Sequence, residues 1–308
     1  MRKKLFYLKT DNYKPIQMIN YIIISPVRNE EKFLKLTVDA MVKQTLLPSE
    51  WIMVNDGSTD RTEEMIREYM VQYPWIKLLT LTDRGYYFPG TGVVNVFNQG
   101  YAQIGDKDWD FLVKLDVDLS FEETYFEALF NRFNENPKLG IASGCTFVPN
   151  NNNTWTKEFD QKDHPVGASK VYRRACWDQM GGLKPVPGWD LADLLSAQMH
   201  GWETALFTDL KIKHYRPTGS RRDGIWAPKF LQGRFEYKHG YTFGYTLLKA
   251  TYKVFTPPVI IGSIAKVCGF TYAYIKKEEY FFEQDMRLFL RNKHKQWLRE
   301  RFERFFKK

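Results

Sequence analysis

Two aspartates one residue apart, Asp116 and Asp118, follow directly on the apolar run Phe111-Leu112-Val113-Lys114-Leu115. Carboxylates so placed at the end of a buried strand suit Mg2+ or Mn2+ shared with substrate phosphates. A cation there would offset charge on a diphosphate leaving group. Asp-x-Asp alone fits an acidic surface turn equally well. A second polar cluster, Asn55-Asp56-Gly57-Ser58-Thr59-Asp60, follows Trp51-Ile52-Met53-Val54. Its short side chains can hydrogen-bond a nucleobase, and its amides can face phosphate. It also reads as a plain strand-to-helix turn, with Asp60 and Glu63 forming a capping box. A third cluster, Pro26-Val27-Arg28-Asn29-Glu30, follows Tyr21–Ile24. Downstream, Asp190 and Asp193 share one face of an expected helix, where acids near the N-terminus also serve the helix alone. His214 precedes Arg216, Arg221 and Arg222, which could clamp phosphates or simply form a solvated basic loop.

These residues need elements to position them. Short apolar runs at Tyr21–Ile24, Trp51–Val54, Ile76–Leu81, Phe111–Leu115 and Ile141–Ser143 alternate with amphipathic stretches at Glu31–Gln44, Arg61–Tyr73 and Phe121–Asn134. Strands alternating with helices predict an α/β fold with a mostly parallel sheet covered on both faces. In such sheets ligands bind beyond the carboxyl ends of the strands, so the three clusters should meet at one crevice. Residues 150–187 read as turn-rich and irregular. Asp190–Met199 reads as a helix stopped by Gly201, and Thr204–Phe207 and Lys211–Tyr215 as two further strands.

The three clusters, in this order and spacing, strongly resemble family 2 glycosyltransferases of the GT-A fold over roughly residues 20–220. The resemblance implies that Pro26, Arg28, Glu30, Asp56 and Asp116 serve the nucleotide sugar, with Arg84 on the donor side. It implies Asp118 as the metal ligand, with His214 as a candidate second ligand, for Mn2+ or Mg2+. Asn98 and Gly100 match the family's Asn-x-Gly element, and Gly167–Gly182 resembles its acceptor-side segment. Gly188-Trp189-Asp190 resembles its Gly-Glu-Asp motif, which makes Asp190 the candidate general base of an inverting transfer. Two departures stand out: Asn55 replaces the first acid of Asp-Asp-Gly-Ser, and Trp189 replaces the glutamate.

The charge is unevenly placed. Residues 1–210 carry 23 Lys+Arg against 28 Asp+Glu, whereas residues 211–308 carry 22 against 8. That basic last third, rich in aromatics, points to an anionic membrane surface; no nucleic-acid motif accompanies it. Val254–Ile275 is about a membrane span in length, but Pro257-Pro258 and Lys266 interrupt it, so an interfacial or re-entrant hairpin is expected. Arg287–Lys308 reads as a basic, aromatic helix, and a helical subdomain packed on the catalytic core is the alternative for the whole tail. Cys145, Cys176 and Cys268 are odd in number and share no ligand spacing, which suits a cytosolic setting. Met1-Arg2-Lys3-Lys4 is basic, yet no apolar run of signal-peptide length follows closely.

The expected organisation is an extension at 1–19, a GT-A domain at 20–220 and a membrane-associating helical region at 221–308. The resemblance implies transfer from a nucleotide diphosphate sugar to a polyprenyl-linked or glycan acceptor at the cytoplasmic face of a membrane. Two rival readings are a nucleotidyltransferase of similar fold, which would not need Asp190, and a non-catalytic membrane-bound scaffold.

Overall fold

The computed structural model describes residues 19–83, 90–150, 154–158, 161–216, 226–252 and 260–306. Arg84, Arg221, Arg222 and Pro257-Pro258 lie outside the described residues, as do the side chains of Phe302, Phe305 and Phe306.

The β-branched and aromatic run Tyr21–Val27 forms β1, buried along nearly its whole length. It pairs in parallel with β2 (Glu50–Asp56) and with β4 (Phe111–Leu115). β3 (Ile76–Leu81) extends the parallel half beyond β2. The helices α1 (Leu34–Met41), α2 (Thr62–Gln72) and α3 (Thr91–Ala102) follow β1, β2 and β3 in turn. Apolar residues cover both faces, with Ile23, Val38, Trp51 and Phe130 in one buried cluster and Ile24, Val54, Phe97 and Trp177 in another. Gly100 lets α3 approach the sheet: a Cβ there would fall 2.7 Å from Ile24 and 2.7 Å from Val54.

The sheet is mixed rather than mostly parallel. β8 (Ser169–Arg173) runs antiparallel to β4, and β6 (Leu139–Pro149) antiparallel to β8. β9 (Glu203–His214) returns parallel to β6, and β5 (Leu119–Phe121) pairs antiparallel with β9. A three-residue strand, β7 (Trp155–Lys157), closes a hairpin on β6. A helical crossover is needed to join neighbouring parallel strands, and none separates β4 from β5 or β7 from β8. Strand order is therefore β3-β2-β1-β4-β8-β6-β9-β5.

Other expectations are corrected. Turns take residues 31–33, so α1 is shorter than Glu31–Gln44. β5 takes Leu119–Phe121, and α4 starts only at Tyr125 and runs to Glu135. The two strands expected over 204–215 are one, with a register shift opposite Gly144 and Cys145. The capping box does not form: Glu63 accepts from Asn55 and Arg67, and Asp60 accepts from the Thr62 and Glu31 amides. The segment read as irregular holds β8 and α5 (Arg174–Met180).

Past α6 (Trp189–Met199) and β9 the described residues form the helices α7 (Trp226–Lys238), α8 (Phe243–Tyr252), α9 (Ile261–Ile275) and α10 (Gln284–Phe306). No helix among the described residues is long and apolar enough to cross a membrane. Of the segment 254–275, the described part is α9, packed against α7. Lys266 is no misfit in an apolar run, because it pairs with the buried Glu236 of α7 at 2.7 Å. α10 docks Met286 and Leu290 on Leu194 and Leu195 of α6.

The α7–α9 contact is backbone on backbone. A Cβ at Gly233 would lie 1.8 Å from the Lys266 carbonyl oxygen, and one at Gly269 would lie 1.9 Å from that of Phe230. Gly233→Ala should therefore cost about 3 kcal/mol, at the upper end of overpacking penalties, because a backbone cannot yield as a side chain can. Urea unfolding measures it. Gly244→Ala, where nothing lies within 4 Å, should be neutral or mildly stabilising.

Candidate active site

The topology carries the ends of β1, β2, β4 and β9, and the start of β5, to one rim. The loops after β1 and β2 are laced together there. The Asn29 amide donates to Ser58 Oγ (3.0 Å), and Asn29 Oδ1 accepts from the Thr59 amide (2.8 Å). The Glu30 amide donates to Thr62 Oγ1 at 2.8 Å. Asn29 adopts a left-handed backbone at φ 55° to make this turn, which its short amide side chain tolerates. Asn55 accepts from the Ser58 amide (3.0 Å) and donates to Glu63 (2.7 Å), so the residue that replaces the first acid organises the loop. Arg28 ties the same loops by donating to the Asp56 carbonyl and to Asp83 (2.9 Å). Pro26 sits in register with Val54, beside them on β1.

The acids of the rim are held by cations. Lys114, buried on β4, donates to Asp116 and to the Gly167 carbonyl at 2.8 Å. Burial raises the Asp116 carboxyl, against the pull of Lys114. Arg216 grips Glu30 with both guanidinium nitrogens and places Nε 3.8 Å from Asp118. Burial lifts Glu30 to about 7 despite that arginine. The antiparallel pairing of Leu119 with His214 brings His214 Nε2 to 3.6 Å from Asp118 Oδ1. On its other side, His214 Nδ1 meets Glu158 at 3.0 Å. Burial opposes the imidazolium, but Asp118 and Glu158 outweigh it and raise His214 to about 9.

This donor set fits a divalent cation. Asp118 Oδ1 is buried and has no hydrogen-bond partner among the described residues. With Nδ1 fixed on Glu158, His214 would offer Nε2 to a metal that displaces its proton. Among the described residues no group of three such side chains forms a complete cage. One carboxylate and one imidazole would leave the remaining positions to substrate phosphates and water.

Asp190 is the second residue of α6, and its Cβ lies 3.6 Å from where a Cβ on Gly167 would stand. The Asp116 amide donates to the adjoining Ala168 carbonyl at 2.8 Å, so one short segment touches both acids. Asp193 does not join them. Its buried carboxylate accepts from Lys170 (2.8 and 3.0 Å) and Tyr172 (2.6 Å), which makes it structural. Asn98 donates to the Leu183 carbonyl at 3.2 Å and serves packing. Sequence reasoning gave no role to Lys114, Glu158, Lys170 or Tyr172. The available signal was a lysine inside each of two strand cores, where a buried cation requires an acidic partner.

Residues 22–182 match the profile described as glycosyl transferase family 2. The chain belongs to that family. It is 28% identical over 221 residues to the probable glycosyltransferase YdaM of Bacillus subtilis, covering 67% of this chain and 48% of the relative. It is 24% identical over 147 residues to a poly-beta-1,6-N-acetyl-D-glucosamine synthase of Staphylococcus epidermidis, covering 48% and 32%. The chain thus spans less than half the length of these two curated relatives. Among solved structures it resembles the mannosyltransferase PcManGT from Pyrobaculum calidifontis, in complex with GDP-Man and Mn2+: TM-score 0.53, 14% identity, 92% of this chain and 84% of that one. S. aureus TarS 1-349 in complex with UDP-GlcNAc gives a TM-score of 0.53 at 15% identity, covering 85% and 74%. At such identity the likeness is one of fold, a GT-A-like mixed sheet.

The buried Lys170–Asp193 pair gives a measurable consequence. Lys170→Met leaves an uncompensated buried carboxylate and should cost about 3–5 kcal/mol in chemical denaturation. Adding Asp193→Leu should restore much of that loss, and simple additivity of the two changes would contradict direct pairing.

Proposed function

We propose that the chain is an inverting, metal-dependent glycosyltransferase that uses a nucleotide diphosphate sugar. The observation that carries this reading is the meeting of Arg28, Glu30, Asp56, Asp116, Asp118 and His214 at one rim, beside Asp190 on α6. Asp56 and the laced β1 and β2 loops would hold the nucleoside, and Asp116 would face the ribose and phosphates. Arg84 is assigned to the donor side by family resemblance alone. Asp118 and His214 would hold Mn2+ or Mg2+, which would offset the charge of the diphosphate leaving group. Asp190 would take the proton of an acceptor hydroxyl as its oxygen bonds to the anomeric carbon and the carbon–diphosphate bond breaks on the opposite face. An α-linked donor would then give a β-linked product. The solved complexes with GDP-Man and UDP-GlcNAc support this donor class. The polysaccharide synthase among the relatives supports a surface-glycan product on a polyprenyl-linked or glycan acceptor.

The reading extends to the cytoplasmic membrane surface. Leu247 and Leu248 on α8, with Ile261 and Ile264 on α9, are exposed around the Ser263–Ala250 hydrogen bond that joins the two helices. The basic excess of the last third would draw that patch to anionic lipid.

Asp190→Asn should lower kcat roughly 100- to 10,000-fold while keeping nucleotide binding. Asp118→Asn should abolish the Mn2+ dependence of UDP or GDP binding in calorimetry. Full activity of Asp190→Asn would remove the proposed base. Absence of any Mn2+-dependent nucleotide binding by the unmodified protein would favour a scaffold. For the membrane, the intact chain should float with vesicles rich in phosphatidylglycerol, and Leu247→Glu with Ile261→Glu should stay behind. Equal flotation of both forms would exclude this patch.

A further inference from the structure

His214 lies beyond residues 22–182, outside the stretch that matches the family profile. Its neighbour Glu158 follows directly on β7, the short strand that closes a hairpin on β6. The hairpin ladder runs on through Glu158, whose amide donates to the Thr146 carbonyl at 2.9 Å. On its other edge β6 pairs with β9, with Thr146 opposite Ile212 and Phe147 opposite Lys213. Trp155, at the start of β7, meets the Tyr215 ring edge-on at 5.4 Å. The Tyr215 amide donates to the Asp118 carbonyl at 3.0 Å. One framework therefore carries Glu158, His214 and Asp118, and all three side chains are about nine-tenths buried.

A histidine can bind a metal through either nitrogen, and a free ring has two orientations and two tautomers. Here the orientation is set. Nδ1 meets Glu158 at 3.0 Å, and Nε2 faces Asp118 Oδ1 at 3.6 Å. Glu158 grips the nitrogen turned away from Asp118, so it stands behind the histidine. That placement bears on which cation the site takes. Mg2+ keeps oxygen ligands and gives up its water reluctantly, whereas first-row transition ions accept imidazole nitrogen. Asp118 and substrate phosphates offer oxygen to either ion. Of the two proposed ligands, only His214 separates them.

We propose that Glu158 is a positioning residue that holds Nε2 of His214 towards Asp118 and thereby makes the site take Mn2+ in preference to Mg2+. The inference rests on Asp118 and His214 being the ligands. It gives the β6–β7 hairpin a part in choosing the metal.

The test compares the full chain with Glu158→Ala, Glu158→Gln and His214→Ala. Mn2+ binding to each, with UDP or GDP present, is followed by water-proton relaxation at one fixed pH, and Mg2+ is the competitor. The ratio of the two affinities is read, because a general loosening of the fold weakens both ions together. The unmodified protein should prefer Mn2+ by at least about tenfold. Glu158→Ala should weaken Mn2+ about 10- to 100-fold and Mg2+ far less, bringing the ratio down to that of His214→Ala. Glu158→Gln, whose amide oxygen still accepts from Nδ1–H, should keep most of the preference. A ratio unchanged in Glu158→Ala would overturn the proposal, and so would an equal loss for both ions, which would leave Glu158 a structural part alone. A ratio unchanged in His214→Ala would overturn it as well, since the histidine would then be no ligand. Absence of metal-dependent nucleotide binding in the unmodified protein would remove the metal reading itself, and this inference with it.

Discussion

Like charges crowded at one rim set the terms for the rest of this molecule. Glu30, Asp118 and Glu158 are largely buried there, with the partly exposed Asp116 beside them. Unit charges about 4 Å apart repel by about 4 kcal/mol at an effective dielectric near 20. The fold answers with fixed cations at each approach: Lys114 from beneath, Arg216 after β9 and His214 between two carboxylates. Without the antiparallel β5–β9 pairing, neither His214 nor Arg216 would reach the acids. The mixed half of the sheet is therefore part of the electrostatics of the site. The parallel half supplies Glu30 and Asp116, and the antiparallel half brings His214 and Arg216, together with Glu158, to meet them.

The C-terminal helices complete the other side of the site. Pro187 and Gly188 precede Asp190, and this turn is pinned from α7: His239 Nε2 lies 2.9 Å from the Pro187 carbonyl. Gly188, at φ 77°, is required twice over, since a Cβ there would also fall 2.5 Å from that imidazole nitrogen. His239 is in turn stacked on Phe282, just ahead of α10. The position of Asp190 thus depends on helices far along the chain, held to one another by glycine contacts and by the Glu236–Lys249–Lys266 network. A buried acid with two lysines is costly to separate, so α7, α8 and α9 should move as one body if they move at all.

The parallel half of this arrangement was legible in the sequence, because its signals are local. β1, β2 and β4 are mainly apolar runs, broken in β4 by Lys114, and each leads into the polar residues that reach the rim. β8 was not legible. Ser169-Lys170-Val171-Tyr172-Arg173 places a lysine and an arginine in a central strand, and only distant partners make that tolerable: Asp193 for Lys170, the Leu139 carbonyl for Arg173. α3 was missed because Thr91–Ala102 is rich in β-branched residues and glycine, which propensity assigns elsewhere, and packing against β1 and β2 overrides it. Glu158 had no signal in its own Asn-rich surroundings; the β6–β7 hairpin delivers it to His214.

Trp189, which stands where the family motif has glutamate, shows how the two halves are joined. Its ring has Lys114 Nζ at 5.5 Å and Lys170 Nζ at 5.3 Å. Lys114 also holds Asp116, on the proposed donor side. Lys170 donates to the Asp190 carbonyl at 2.7 Å, on the proposed acceptor side. An aromatic face attracts ammonium groups within about 6 Å by roughly 0.5–2 kcal/mol without carrying a formal charge. A glutamate here would attract the same lysines more strongly, but it would add another anion beside Asp116, Asp190 and Asp193. Asp193 already neutralises Lys170, and Asp116 already neutralises Lys114. With both lysines so paired, the substitution trades Coulomb attraction for a neutral surface that both can rest on. It lets one buried ring link the strand carrying Asp116 to the helix carrying Asp190 while the number of acids stays within what the cations of this site can hold.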